Sequence, residues 1–189
     1  MAAPNKSSEF DKVYSSSIKH WIWSDIRIPK EIKALAQLGS PQNALELGCG
    51  LGRFSRYVAQ LGVHVTGIDF SPVAVAKAQA MAAHYDIQPA FQVGDVTHLD
   101  ALKGPFDISF DVGCFHCLNP DGQRAYASEV CRLLKLRGTH LIWALDSAPS
   151  DIRLSPTVIK EIFSTGFELQ SFRKSRRRIA SSHWYWLVR

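Results

Sequence analysis

Three glycines separated by single residues form the segment with the clearest chemical meaning, Gly48-Cys49-Gly50-Leu51-Gly52. A short apolar run, Ala44-Leu45, precedes them, and a helical pattern begins at Phe54. Glycine is favoured at such a strand-to-helix turn because the backbone adopts positive φ and a ligand approaches it closely. The free N–H groups and the positive dipole end of the following helix suit an anionic or carboxylate-bearing ligand.

The spacing of these glycines separates the turn from two common nucleotide-binding loops. A dinucleotide-binding turn has the pattern G-x-G-x-x-G, whereas this chain has G-x-G-x-G. A Walker loop continues with lysine and then Ser or Thr, and here Arg53-Phe54 follows the last glycine. Taken alone, the turn is also compatible with a loop that binds no ligand.

Acidic residues stand in or directly after the apolar strand candidates around this turn. They are Glu46, Asp69, Asp95 and Asp111. Because ligands of parallel sheets bind beyond the carboxyl ends of the strands, these acids are expected at one rim. A carboxylate such as Asp69 can accept hydrogen bonds from both hydroxyls of a ribose. For each acid taken singly, starting a loop or capping a helix is the alternative role.

The elements that must position these residues alternate between strand and helix, which predicts a parallel sheet covered on both faces. Three helices are predicted to begin at Ser71-Pro72, Asn119-Pro120 and Ser155-Pro156, each with a capping side chain before proline. Segments 167–172 and 183–188 have no helical pattern between them and are predicted to pair as a hairpin. The predicted fold is α/β, Rossmann-like and doubly wound, with a mainly parallel seven-stranded sheet and a C-terminal antiparallel hairpin.

Length and composition set the organisation of the chain. Its 189 residues, 46% of them hydrophobic, predict a single domain over 1–189, with an N-terminal helical lid at 1–40 and a core at 41–189. The sequence shows no secretory signal pattern and no apolar run of about 20 residues. Together with four cysteines, this predicts a cytoplasmic protein with free thiols and no membrane contact, as a monomer or homodimer.

With Glu46 ahead of the three glycines, the turn resembles the first motif of the class I S-adenosylmethionine-dependent methyltransferases. The resemblance extends over nearly the whole chain. Within the class, the chain resembles the group that includes thiopurine, thiol and tellurite-resistance methyltransferases. It implies that the protein is an enzyme whose cofactor is S-adenosyl-L-methionine. It also implies that the last strand is inserted antiparallel into the sheet.

The resemblance implies a set of residues that bind the cofactor. Asp69 would hold the ribose, and Asp95 would accept from the adenine amino group beside the backbone N–H of Val96. Phe70 would form a wall of the adenine pocket. The other predicted positions would contact the cofactor through the backbone of the glycine turn or lie near its methionyl end. They are Gly48, Cys49, Gly50, Gly52, Glu46, Asp111 and Val112.

The segment 113–118 follows the fourth strand, where the methyl acceptor is expected. It lacks the D-P-P-Y type sequence of enzymes that methylate amino groups of bases. With His116, the loop instead resembles that of small-molecule methyltransferases that act on thiols, thiopurines, halides or chalcogen oxyanions. An imidazole there would accept the proton of a thiol, whereas packing beneath the sheet is the alternative for His116. The predicted catalytic residues are His116 and Asp111, and the predicted acceptor contacts are Trp21, Trp23, Cys114, Phe115 and His116.

The sequence leaves several further interpretations open. Cys114 and Cys117 form a C-x-x-C pattern without the further ligand pair of a structural zinc site, so buried incidental thiols and no metal are expected. The basic run Arg173–Arg178 is expected as a solvated turn, with an RNA methyltransferase as the minority hypothesis. Small-molecule O- or N-methylation, and a cofactor-binding protein without catalysis, compete with the prediction of a thiol methyltransferase.

Overall fold

The computed structural model describes residues 7–15, 27–83, 89–147, 153–175 and 181–189. The helices of this part of the chain are α1 (Ser7–Ser15), α2 (Lys30–Ala36), α3 (Arg53–Ala59), α4 (Pro72–Ala82), α5 (Pro120–Leu133) and α6 (Pro156–Ile162). The strands are β1 (Asn43–Leu47), β2 (His64–Asp69), β3 (Ala90–Val93), β4 (Phe106–Val112), β5 (Leu134–Leu145), β6 (Glu168–Lys174) and β7 (Ser182–Val188). A short 3₁₀ turn, Phe115–Cys117, follows β4.

The strands form one seven-stranded sheet in the order β3-β2-β1-β4-β5-β7-β6. β1 to β5 are parallel, and β7 lies antiparallel between β5 and β6. The predicted fold class and the predicted C-terminal hairpin are therefore confirmed. Leu47 is opposite Ile68 and Asp111, so the carboxyl ends of β1, β2 and β4 meet at one edge.

Side-chain caps begin the helices that cover this sheet, as the Ser-Pro and Asn-Pro patterns predict. The Ser71 hydroxyl accepts from the Ala74 N–H at 3.1 Å, and the Asn119 side chain accepts from the Gly122 N–H at 2.8 Å. Each bond satisfies an N–H group that the first helical turn leaves without a backbone partner. The cap at Asn119 also fixes where the loop after β4 ends.

Two boundaries differ from the sequence-based expectation. The apolar run at 139–145 predicts a strand over those residues alone. β5 instead begins at Leu134, immediately after α5, because Leu134 pairs with Phe106 before a register shift. Arg173 and Lys174 belong to β6, where they pair with Trp184 and His183, so the expectation that the turn begins at Arg173 is wrong. The cations of the run at Arg176–Arg178 lie outside the described residues.

Apolar side chains fill both faces of the sheet and hold its carboxyl edge in place. On one face, Tyr126 of α5 and Phe163 after α6 are fully buried against the strands. On the other face, Ile32 of α2 and Val58 of α3 pack against β4 and β5. Complete burial of a side chain of this size contributes about 1.5–3 kcal/mol.

Candidate active site

A cavity of about 520 Å³ opens at the carboxyl edge of β1, β2 and β4. Its volume lies within the range of small-molecule and cofactor pockets, about 300–1,000 Å³. Most of the residues predicted to bind the cofactor line it together, along with one predicted acceptor contact. They are Glu46, Gly48, Cys49, Gly50, Asp69, Phe70, Asp95, Val96, Val112 and Cys114.

The other predicted site residues lie elsewhere. Gly52 is the N-cap of α3, and Asp111, Phe115 and His116 are buried behind the cavity wall, outside the set that lines it. Trp21 and Trp23 lie outside the described residues. The structure therefore brings the predicted cofactor residues together more completely than the predicted acceptor residues.

Asp69 lines the cavity and holds the glycine turn beside it. Its Oδ2 accepts from the Gly50 N–H at 2.7 Å, and its Oδ1 accepts from the Ser71 N–H at 2.9 Å. Burial raises the pKa of this carboxyl group, while both backbone bonds oppose the rise. Because each carboxylate oxygen has two lone pairs, Asp69 can hold the glycine turn and still accept from ribose hydroxyls.

Asp95 lies two residues beyond the end of β3. Its Oδ1 accepts from the Thr97 N–H at 2.9 Å and from the Thr97 hydroxyl at 2.6 Å. These two bonds orient the carboxylate at the cavity wall beside Val96, which is buried. The adenine-binding role of Asp95 and Val96 stays a prediction, and the structure places both residues at the cavity wall.

Glu46 is buried beneath the glycine turn and connects β1 to α3. Its Oε2 accepts from the Ser55 N–H at 2.9 Å and from the Ser55 hydroxyl. Burial raises the pKa of Glu46 to about 8, although the Ser55 bonds lower it. Glu46 thus caps the helix that follows the turn, a role that the eight residues between Glu46 and Ser55 hide in the sequence.

We expect Glu46→Gln to reduce the pH dependence of stability. The folded pKa of Glu46, about 8, lies above its ordinary 4.5, so its contribution is complete below pH 4.5 and is lost as the pH rises toward 8. The free energy of unfolding, measured with urea, should therefore fall less for Glu46→Gln than for the native protein over this window. Glu161→Gln, at an exposed position of α6, is the control. In this variant the free energy of unfolding should fall between pH 4.5 and 8 by as much as it does in the native protein.

Asp111 binds the loop after β4 rather than lining the cavity. Its Oδ1 accepts from the Cys114 N–H at 2.7 Å, and its Oδ2 accepts from the Phe115 N–H at 2.7 Å and the Tyr126 hydroxyl at 3.1 Å. Burial raises the pKa of Asp111 to about 7. In this arrangement the carboxylate shapes the cavity wall from behind.

A buried polar chain continues from Asp111 through β5. The Tyr126 hydroxyl lies 3.2 Å from Nε2 of His140, whose Nδ1 lies 2.8 Å from the Ser109 hydroxyl. Burial lowers the pKa of His140 to about 3, so the ring is neutral at physiological pH. The sequence does not predict that Tyr126, His140 and Ser109 meet, because they lie on different elements and share no motif.

The 3₁₀ turn after β4 directs its residues to different places. Cys114 and Cys117 line the cavity, whereas Phe115 packs against Tyr126 and Phe163 in the core. His116 is 4% exposed, and its Nδ1 accepts from the Leu145 N–H at 3.4 Å. The role of His116 toward an acceptor remains a prediction, and the structure places its ring beside Trp143.

The cysteines of the site are free thiols. Burial raises the pKa of Cys117 to about 12 and the pKa values of Cys49 and Cys114 well above the ordinary value. These thiols are therefore protonated at neutral pH and are weak nucleophiles. Among the described residues, no group of three or more His, Cys, Asp or Glu side chains is arranged to hold a metal ion.

Helix α1 covers the cavity from the side of β2 and α4. The Ser7 hydroxyl donates to the Phe70 carbonyl at 3.0 Å, the Ser71 hydroxyl donates to Asp11 at 2.5 Å, and Lys77 donates to the Tyr14 carbonyl at 2.6 Å. Phe10, Val13 and Tyr14 complete the wall. This placement supports the proposed lid role for this part of the N-terminal segment.

Comparison with known proteins identifies the family. A family model described as "Methyltransferase domain" matches residues 44–138, the segment from β1 through the first part of β5. The chain belongs to the methyltransferase-domain family. The predictions of a methyltransferase and of S-adenosylmethionine as its cofactor are confirmed.

Named relatives extend this result. The methyltransferase is 40% identical over 101 residues to an "Uncharacterized methyltransferase" of Schizosaccharomyces pombe, covering 51% of this chain and 70% of the relative. It is 28% identical over 138 residues to ajmaline N-methyltransferase of Rauvolfia serpentina, covering 70% of this chain and 47% of the relative.

A solved structure supports the fold over the 189 residues of this chain. It is the Burkholderia thailandensis 1,6-didemethyltoxoflavin-N1-methyltransferase, with a TM-score of 0.80, 21% identity, and coverage of 100% of this chain and 93% of that chain. That structure contains 1,6-didemethyltoxoflavin and S-adenosylhomocysteine. Within the described residues of the methyltransferase, no helix is long and apolar enough to cross a membrane.

Proposed function

We propose that this methyltransferase transfers the methyl group of S-adenosylmethionine to a small molecule whose attacking atom is a thiol or a related soft nucleophile. The observation that carries the proposal is the character of the cavity wall formed by the loop after β4. This wall consists of Val112, Gly113, Cys114, Cys117 and Leu118. It is apolar and rich in sulfur, and its thiols are uncharged because burial raises their pKa values.

An apolar wall favours a soft nucleophile over a strongly hydrated one. Desolvation costs less for a thiol than for a hydroxyl or an amine, since sulfur forms weaker hydrogen bonds. A free thiol has a pKa near 8.5, so a few per cent is already ionised at neutral pH. Correct positioning of such an acceptor supplies much of the rate of an in-line displacement.

The residues of the chain divide this task between binding and positioning. S-adenosylmethionine supplies an electrophilic methyl group on a sulfonium. Asp69 and Asp95 would hold its ribose and adenine, and Glu46 and the glycine turn would support its methionyl end. Asp111 holds the loop whose Cys114 and Cys117 face the acceptor, and α1 excludes water from above.

Named relatives also support a small acceptor. Ajmaline N-methyltransferase and the toxoflavin-related N1-methyltransferase are named for small-molecule acceptors. Their names indicate nitrogen acceptors for those proteins, so N-methylation is the comparison that a test of this chain must include. For the RNA hypothesis, the described part of the basic run contributes Arg173 and Lys174 of β6 only.

A matched acceptor panel tests the proposal. Thiophenol, phenol and aniline, and the corresponding alkyl thiol, alcohol and amine, would be incubated with the full chain and radiolabelled S-adenosylmethionine. We expect thiols to be methylated with a kcat/KM at least about 100-fold above their oxygen and nitrogen counterparts, a difference of about 2.7 kcal/mol in the barrier. Faster methylation of phenols or amines would overturn the acceptor assignment. Calorimetric binding of the cofactor is measured separately, because it does not depend on the acceptor.

A further inference from the structure

Two arginine side chains form a part of the cavity wall that the proposed function does not use. Arg53 and Arg56, both on α3, line the cavity, and within the described parts of the chain no other lysine or arginine does so. Because the two residues are three positions apart on a helix, their side chains lie on the same side of it. Both residues are half-buried, so they face the cavity while staying within reach of solvent.

Neighbouring groups hold the two guanidinium groups at this wall. Nη1 of Arg56 donates to the Leu51 carbonyl, within the glycine turn, at 2.5 Å. Cζ of Arg53 lies 5.5 Å from the centre of the Phe54 ring, a distance at which a cation and an aromatic face attract each other. A guanidinium has several N–H donors in a planar fork, so the bond from Arg56 to Leu51 leaves donors for a ligand.

The carboxylates that line the cavity are separated from these cations or largely uncharged. Asp69 ends β2 and Asp95 follows β3, whereas α3 follows β1. Glu46 is nearer, because it caps α3 through Ser55, but burial raises its pKa to about 8, so most of it is uncharged at pH 7. The α3 side is therefore the positive side of the cavity, and it favours an anionic ligand group.

This positive side adjoins the acceptor wall, which the loop after β4 forms. Phe54, beside Arg53, belongs to a buried apolar cluster, and Val112 of the wall packs against the same cluster. In the turn before α3, a Cβ added to Gly48 would lie 2.4 Å from Cβ of Cys114, so the turn and the wall are in direct contact. The arginines and the wall line one cavity. An acceptor whose sulfur lies against the wall can therefore extend an anionic group to the guanidinium groups.

We infer that Arg53 and Arg56 form a subsite for an anionic group of the methyl acceptor, so that the acceptor is a small thiol that also carries a carboxylate. This inference rests on the proposed function. Arginine presents paired N–H donors that match the two oxygens of a carboxylate, and such charge-assisted bonds are stronger than neutral ones. Holding the anionic end fixes the direction of the acceptor, which turns its sulfur toward the methyl group of the cofactor.

The exposure of the two arginines favours the acceptor over the cofactor as the source of this anion. The methionyl end of the cofactor is proposed to lie at the glycine turn and Glu46, and Glu46 is buried. Arg53 and Arg56 are half-buried and within reach of solvent, from which the acceptor enters the cavity.

The first test compares 3-mercaptopropionate with its methyl ester, which has the same thiol and chain but no charge. For the native chain with S-adenosylmethionine, we expect kcat/KM to be at least about 10-fold higher for the acid, because hydrogen bonds between charged groups are among the stronger ones. Ionisation of the thiol cannot produce this preference, since a nearby carboxylate raises the pKa of a thiol and lowers its thiolate fraction. An equal kcat/KM, or a higher one for the ester, would overturn the inference without any variant.

Replacing the guanidinium groups tests whether they cause the preference. The double variant Arg53→Gln/Arg56→Gln should raise KM for the acid by about 10-fold or more, while KM for the ester stays near its native value. Arg173→Gln is the matched control, because Arg173 is an exposed cation on β6, the edge strand three places from β4. It should keep the native preference for the acid. An equal loss for acid and ester in the double variant would indicate a structural role and contradict the subsite.

A binding measurement separates this inference from the proposed function. The acid and the ester would be titrated calorimetrically into the native chain saturated with S-adenosylhomocysteine, where no methyl group can be transferred. The acid should bind more tightly than the ester, and this difference should shrink in the double variant. If the native chain methylates no thiol, the proposed function fails, while this titration still tests the subsite.

Titration of S-adenosylmethionine into the double variant tests the cofactor as the source of the anion. We expect native affinity, because the inference assigns the two arginines to the acceptor. A weaker affinity for S-adenosylmethionine together with an unchanged preference for the acid would assign the guanidinium groups to the methionyl carboxylate, and the inference would then be wrong.

Discussion

Asp69→Ala is expected to weaken S-adenosylmethionine binding by about 100-fold or more, the largest effect of any single change among the acids. Removing the carboxylate deletes the acceptor proposed for two ribose hydroxyls, and hydrogen bonds to a charged group contribute about 1.5–3 kcal/mol each. It also leaves the Gly50 N–H without the acceptor that lies 2.7 Å away. The glycine turn would then lose part of its fixed shape as well as a ligand.

Isothermal titration calorimetry of three variants separates these contributions. Asp69→Asn keeps a carbonyl oxygen for one backbone N–H, so it should bind the cofactor more tightly than Asp69→Ala but more weakly than the native protein. Asp100→Ala, whose carboxylate is exposed and contacts His98, should bind as the native protein does. Native affinity in Asp69→Ala would show that the ribose lies elsewhere.

The meeting of the proposed cofactor residues at one cavity was predictable because each of their signals is local. Glycine spacing after β1 and single acids at the ends of consecutive strands are visible in short segments. The parallel sheet then brings Gly50, Asp69 and Asp95 to one edge, since all parallel strands end there. No knowledge of distant contacts is needed for this part.

The directions of the side chains in the proposed acceptor wall were harder to predict because they depend on local backbone geometry. A 3₁₀ turn has three residues per turn, so side chains three positions apart share a side. Cys114 and Cys117 therefore face the cavity together, while Phe115 and His116 between them point elsewhere. A sequence that shows only a loop after β4 does not distinguish these directions.

The roles of the remaining residues could not be predicted because they depend on contacts between residues far apart in the sequence. An acid at the end of β4 suits either ligand binding or loop support, and only the contacts of Asp111 with Cys114, Phe115 and Tyr126 distinguish the two. Asp146 and His183 are 37 positions apart, and their pairing depends on the antiparallel insertion of β7 beside β5. The sequence predicts that insertion but not which side chains meet across it.

Gly48→Ala is expected to lower the free energy of unfolding by about 3 kcal/mol or more and to abolish cofactor binding. Gly48 has a φ of 70°, which costs an L-residue roughly 1–2 kcal/mol. A Cβ there would also lie 2.4 Å from Cβ of Cys114, and relieving such an overlap costs about 1–3 kcal/mol. The turn and the acceptor loop are packed directly against each other at this point.

Gly39→Ala separates strain from overlap, because Gly39 has a similar φ of 64° but no atom within 4 Å of its added Cβ. Urea unfolding should show a cost of about 1–2 kcal/mol for Gly39→Ala, with cofactor binding unchanged. In a Cys114→Gly background the overlap is absent, so Gly48→Ala should cost no more than Gly39→Ala. If the large cost persisted in that background, the contact between Gly48 and Cys114 would not be what couples the cofactor turn to the acceptor loop.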